Sequence, residues 1–279
     1  MVASVVSTHS HVEMPPISDV SDLGLFGAMA LLAMLQAGAD PGFRYMRRLP
    51  AQGNRLAPHR ALRHQIVLAL MEARVLVPAA PRRLRLEATL ADPEWDDVSL
   101  EDADWSIYWD DVTRGSLPSR LRDYLGEVPS TARDREILID TWTALGKAEC
   151  LAFGEQSLTA HRMNPALVMS IEPLLGPLLA QRSIGQCCAF LWWAAKNVAS
   201  SFLRHGGQPG LAEREMSRSI TNALDRSDVT SRTSPQFQRH NAIPISTFAS
   251  AFLLASRLGD SYWLAPISDD EINRSLDSN

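Results

Sequence analysis

From Pro58 to Leu90 the chain reads PHRALRHQIVLALMEARVLVPAAPRRLRLEATL, and no other run says as much about its architecture. Pro58 suits the start of a helix, where its missing N–H removes a donor that would have no partner anyway. From there to Arg74, Leu62, Ile66, Ala69 and Leu70 recur at helical spacing, while Arg60, Arg63 and His64 fall on the outward side. Val75-Leu76-Val77 then reads as a short strand, broken by the segment Pro78 to Pro81. Leu84 to Leu90 alternates apolar and polar residues as a second strand would.

Upstream, Ser21 or Asp22 is a good N-cap for a first helix that should run to about Ala37, before Gly38. Leu25, Met29, Leu32 and Gln36 share one face, and so little of this segment is polar that the helix should be buried nearly all round. Asp40-Pro41-Gly42 is a turn signal. Phe43 to Ala57 is basic and irregular, with at most one helical turn from Tyr45 to Leu49. Helix, turn, helix and two strands joined by a proline-containing turn is the order of a winged helix, which residues 21–90 resemble. That resemblance implies a helix in the major groove of DNA and a wing against phosphate.

Charge is divided along the chain in a way its formal net value of −5 hides. Between Asp40 and Leu90 ten arginines face three acids, a local balance of +7. Between Ala91 and Val128 eleven acids face three arginines, a balance of −8. The basic block nominates Arg44, Arg47, Arg48, Arg60, Arg63, Arg82, Arg83 and Arg85 as phosphate-contacting residues. Two plainer readings stand beside this one: a solvated arginine face, or pairing of the basic block with the acidic block that follows it. The second implies that the acidic block competes with DNA for the same surface. Only Lys147 and Lys196 are lysines, so the preference for arginine itself carries no weight; the clustering does. The acidic block also interleaves Trp95, Trp105, Tyr108 and Trp109, more aromatic surface than a purely solvated linker would use.

Past Leu117 the signal is helical to the end. A long helix is expected from about Thr131 to His161, with Leu138, Trp142, Leu145, Ala148 and Ala152 on one stripe. Another covers Pro165 to Gln181, kinked or divided by Pro173 and Pro177. Ser183-Ile184-Gly185-Gln186 fits a capping box and opens a helix that closes at Gly206-Gly207. Further helices are expected from Pro209 to Leu224 and from Pro244 to Leu258, separated by a polar loop.

Other chemistry finds little support. The three cysteines, Cys150, Cys187 and Cys188, have no C-x-x-C spacing and read as reduced buried thiols of a cytoplasmic protein. The uncharged run between Asp22 and Asp40 is interrupted by glycines and reads as a buried helix rather than a membrane span. There is no phosphate-binding glycine loop and no metalloprotease or serine-hydrolase motif. His9 and His11 in the tail are an adventitious pair, and Glu149, beside the apolar stripe, reads as a structural carboxylate. Trp192 and Trp193 suit a core or a dimer interface more than a ligand pocket. Arg232, Arg239 and His240 are too sparse for an anion site. No catalytic residue, metal site or cofactor is nominated.

Ala148-Glu149-Cys150-Leu151, the Ser183 to Gln186 opening, the tryptophan pair before Ala195, and Leu258-Gly259-Asp260 resemble a group of uncharacterised bacterial accessory proteins. The similarity runs over about residues 132–263 and implies a helical bacterial domain, without an activity to carry over. The expected organisation is a mobile tail (1–20), a winged-helix-like basic module (21–90), an acidic aromatic linker (91–116) and an all-helical domain (117–279). The expected function is that of a non-enzymatic double-stranded-DNA-binding protein, a regulator or an accessory component of a mobile-element or defence system. The alternative is a protein-interaction module whose helical domain binds a partner or itself.

Overall fold

The computed structural model describes residues 17, 19–46, 56–79, 104–127, 131–205, 210–225, 237–238 and 245–277. The fold is mainly helical, with one small three-stranded antiparallel sheet.

The first helix, α1 (Gly24–Gly38), is entered through a 3-10 turn, Val20–Leu23, whose N-cap is Asp19. The Asp19 carboxylate accepts the Ser21 N–H at 3.0 Å. The cap therefore stands two or three residues before the expected Ser21 or Asp22, because the 3-10 turn precedes the α-helix. Eleven of the fifteen residues of α1 are buried, on all sides of the helix. Val20–Gly38 is long and apolar enough to cross a bilayer, with a mean hydropathy of 1.6, yet 67% of that window is already covered by protein. Its cover comes from both halves of the chain: from α2 (Arg60–Glu72) on one side, and from α3 (Leu117–Gly126) and α8 (Thr247–Ser256) on the other. Phe26 meets Phe248 of α8 edge-on at 5.5 Å, and Ser246 caps α8 through the Ala249 N–H. The apolar residues of all these elements form one continuous core.

The sheet corrects two expectations. Its strands are β1 (Tyr45–Met46), β2 (Leu76–Pro78) and β3 (Trp105–Ile107), in the order β1-β3-β2. Tyr45–Met46 is thus extended rather than part of a helical turn. Val77 stands opposite Ser106, and so does Tyr45 on the other edge. The partner of Leu76–Pro78 is Trp105–Ile107; the expected partner, Leu84 to Leu90, lies outside the described residues. Trp105–Ile107, within the expected acidic linker, is therefore the middle strand of the sheet. Trp105 and Ile107 point into the core while Ser106 lies half-buried between them, so three residues suffice for a strand when both neighbours supply hydrogen bonds.

Downstream, α4 (Ala132–Ala160) begins at its Thr131 cap and ends at His161, as its apolar stripe predicts. The next segment is divided: a 3-10 stretch, Pro165–Ile171, then α5 (Glu172–Leu179), with Pro173 in its first turn. At Gly154 of α4 an added Cβ would stand 2.4 Å from Cγ2 of Val168, so only glycine permits this approach. α6 (Ile184–Arg204) opens on the expected capping box: the Gln186 N–H donates to Ser183 Oγ at 3.2 Å, and the Ser183 N–H donates to Gln186 Oε1 at 3.1 Å. α7 (Leu211–Asp225) packs on α6, and two short C-terminal helices, α9 (Ser261–Leu264) and α10 (Asp269–Asp277), close against α6 and α4.

Candidate nucleic-acid interface

The basic module is organised around α2. His59 is its N-cap: extended in backbone (φ −134°, ψ 150°), it accepts the Ala61 N–H on Nδ1 at 3.3 Å. Leu62, Ile66, Val67 and Leu70 bury one face. The opposite edge leaves Arg60, Ala61 and Gln65 exposed, with Arg63 and His64 half-buried beside them. No acid occurs on this helix before Glu72. Arg74 then takes a left-handed conformation (φ 57°), and the Val75 N–H closes on the Leu70 carbonyl at 3.0 Å. That turn reverses the chain directly into β2.

Arg44 belongs to the turn before β1. The Asp40 carboxylate holds this turn by accepting three backbone N–H groups, from Gly42 at 3.1 Å and from Arg44 and Tyr45 at 2.7 Å each. Desolvation pulls the Asp40 carboxyl upward, but these donors outweigh it and leave it below its usual range. Arg44 itself is exposed and lies 3.8 Å from Asp111, a surface pair of little energetic weight. A far stronger arrangement sits beside it. Arg114, whose side chain is 12% exposed, donates to the carbonyls of Ile107 at 2.8 Å, Phe43 at 3.3 Å and Trp109, and pairs with Asp111 at 3.0 Å.

Of the eight nominated arginines, the structure thus brings Arg60 and Arg63 together on the first turn of α2. It puts Arg44 at the β1 edge, about 10 Å across the sheet from β2. Arg47, Arg48, Arg82, Arg83 and Arg85 lie outside the described residues, as do His9, His11, Arg232, Arg239 and His240. Gln65 was not singled out by the sequence reading, although its spacing from Ala61 (i, i+4) puts it on the same edge. The contact of His59 with Glu155 was also missed: Nε2 lies 3.5 Å from Oε1 of a residue nearly a hundred positions away, which no local pattern reports.

Among the described residues, the remaining candidates are buried or engaged in structural contacts. Cys150, Cys187 and Cys188 are free and buried where α4 crosses α6. The contact with Cys187 favours ionisation of Cys150, but the contact with Cys188 and burial prevail and hold its thiol well above the usual range. Burial does the same to Cys187. A raised thiol pKa disfavours the thiolate form on which nucleophilic reactivity depends. Glu149 is buried and accepts the Tyr262 hydroxyl at 3.3 Å. No group of three or more metal-binding side chains occurs among the described residues. Trp192 meets His161 in a tilted contact with ring centres 5.0 Å apart, whereas Trp193 is half-exposed beneath the Lys196 ammonium, 5.2 Å from its ring centre.

Comparison of the chain with protein-family models, with curated proteins and with solved structures gives no match. The comparisons therefore do not bear on the expected resemblance to bacterial accessory proteins.

Proposed function

We propose that this protein is a non-enzymatic binder of double-stranded DNA, with the outward edge of α2 directed into the major groove. The observation that carries the reading is the topology around that helix. Helix, strand, helix and two strands, with the first strand paired to the last, is an element order that resembles a winged helix and supports this reading. In that arrangement the helix before the hairpin presents its N-terminal half to DNA. Here that half carries Arg60, Ala61, Arg63, His64 and Gln65, a cationic and amide-bearing edge without an acid. Arginine bonds phosphate or guanine edges, and glutamine suits adenine. Arg44 at the other edge of the sheet would extend the phosphate contacts.

The test is binding of the full chain to labelled duplex DNA across a salt series. Each phosphate neutralised contributes a slope of about −0.9 in log K against log salt. R60A and R63A should each weaken binding and flatten that slope by about one unit. Affinity indifferent to salt, or to both substitutions, would overturn the reading. That outcome would favour a protein-interaction module instead, since Leu203, 82% exposed, and half-exposed Trp193 share the outer face of α6. Sedimentation of wild type against W193A would then be the measurement to make.

A further inference from the structure

At the seam between α2 and α4, His59 holds two contacts that one proton sets against each other. Only 2% of its side chain is exposed. Nδ1 accepts the Ala61 N–H and so caps α2. Accepting there fixes the neutral tautomer with its proton on Nε2. That proton faces Glu155 Oε1 across 3.5 Å, in a geometry that makes no hydrogen bond. Adding a second proton places it on Nδ1, which then cannot accept from Ala61. The cap is lost, and the imidazolium gains a full charge opposite Glu155.

The other charges facing this ring are Arg60 and Arg63, both on α2 and both opposed to its protonation. α1 packs against α2, and the Phe248 N–H of α8 donates to the Leu56 carbonyl just upstream. Neither helix carries a titratable side chain along its span, and β2 brings none.

We propose that His59 is a proton-operated latch: neutral, it closes the first turn of α2; protonated, it transfers its hold to Glu155 and releases that turn. The consequence for DNA rests on the function proposed above. The released turn carries Arg60 and Arg63, so acid should weaken DNA binding. Simple charge would act in the opposite direction, because protonated histidines add positive charge and favour phosphate. Burial holds the imidazole below its ordinary range, Glu155 pulls against burial, and the two arginines reinforce it. A base with a depressed native pKa contributes its full stability above the unfolded value, about 6.5, and loses it as the pH falls through the native value. The latch therefore opens on acidification.

The experiment is amide hydrogen exchange over α2 in the full chain, expressed as protection factors from about pH 7.5 to about pH 5, for wild type, H59N and E155Q. In wild type the first turn should lose about fivefold protection in acid, the size of a missing N-cap. H59N keeps a side-chain acceptor that does not titrate, and its protection should stay level. E155Q removes the carboxylate that favours the imidazolium and should shift the midpoint to lower pH. Level protection in wild type, the same loss in H59N, or an unmoved midpoint in E155Q would each overturn the latch. Duplex binding at both ends of the pH range then separates the two ideas. No binding at either pH overturns the DNA function and leaves the exchange result standing. Binding indifferent to pH beside a working latch overturns only the link between them.

Discussion

Arg114 stands in the most acidic part of the sequence, yet most of its hydrogen bonds go to backbone. Its guanidinium reaches carbonyls before β1, at the end of β3 and beyond it, besides the Asp111 carboxylate. One planar fork thereby ties the turn before β1 to the segment that leaves β3. Lysine keeps the charge but not the fork. R114K is therefore expected to lose about 2 kcal/mol of stability, and R114A somewhat more, measured by urea unfolding. An R114K protein as stable as wild type would mean that water satisfies those carbonyls equally well. Arg114 is also why charge counting misleads in this region. It was tallied as one cation among acids, and its role depends on carbonyls that no tally includes.

At the level of single elements, the long helices were legible because their signals are local. The buried α4 stripe runs from Leu138 to Leu158, about six turns, and the Thr131 and His161 caps stand beyond its two ends. The capping box of α6 occupies four consecutive residues. Replacing Ser183 with alanine should destabilise the protein by about 1 kcal/mol, and combining it with Q186A should cost less than the two single losses added together, because the two hydrogen bonds are reciprocal. Thermal unfolding of the three variants checks this; strict additivity would show that the box does not act as a unit. The sheet was not legible for the converse reason. Trp105–Ile107 is three residues long and flanked by carboxylates, and what makes it a strand is the pair of neighbours at Tyr45–Met46 and Leu76–Pro78. The same limit applies to the candidate site. The outward position of Arg60, Arg63 and His64 follows from the period of α2, whereas the proximity of Glu155 to His59 follows from how α2 meets α4.

For the molecule as a whole, the decisive element is α1, because it is buried jointly by the sheet side and by the C-terminal helices. Two lobes that share one helix should unfold together. Tryptophan fluorescence and far-ultraviolet circular dichroism are expected to give coincident urea transitions; two separated transitions would show independent lobes. A fragment ending at Leu90 should fail to fold, since it lacks β3 as well as the α3 and α8 surfaces against which α1 is packed. Shared burial also has a temporal side. α1 leaves the ribosome before its partner α8, which begins at Thr247, about two hundred residues later. At elongation rates of about 5–20 residues per second, that interval is roughly 10–40 s. Throughout it, this strongly apolar helix lacks the cover that α8 supplies, so during synthesis it is a natural client for whatever shields nascent hydrophobic segments.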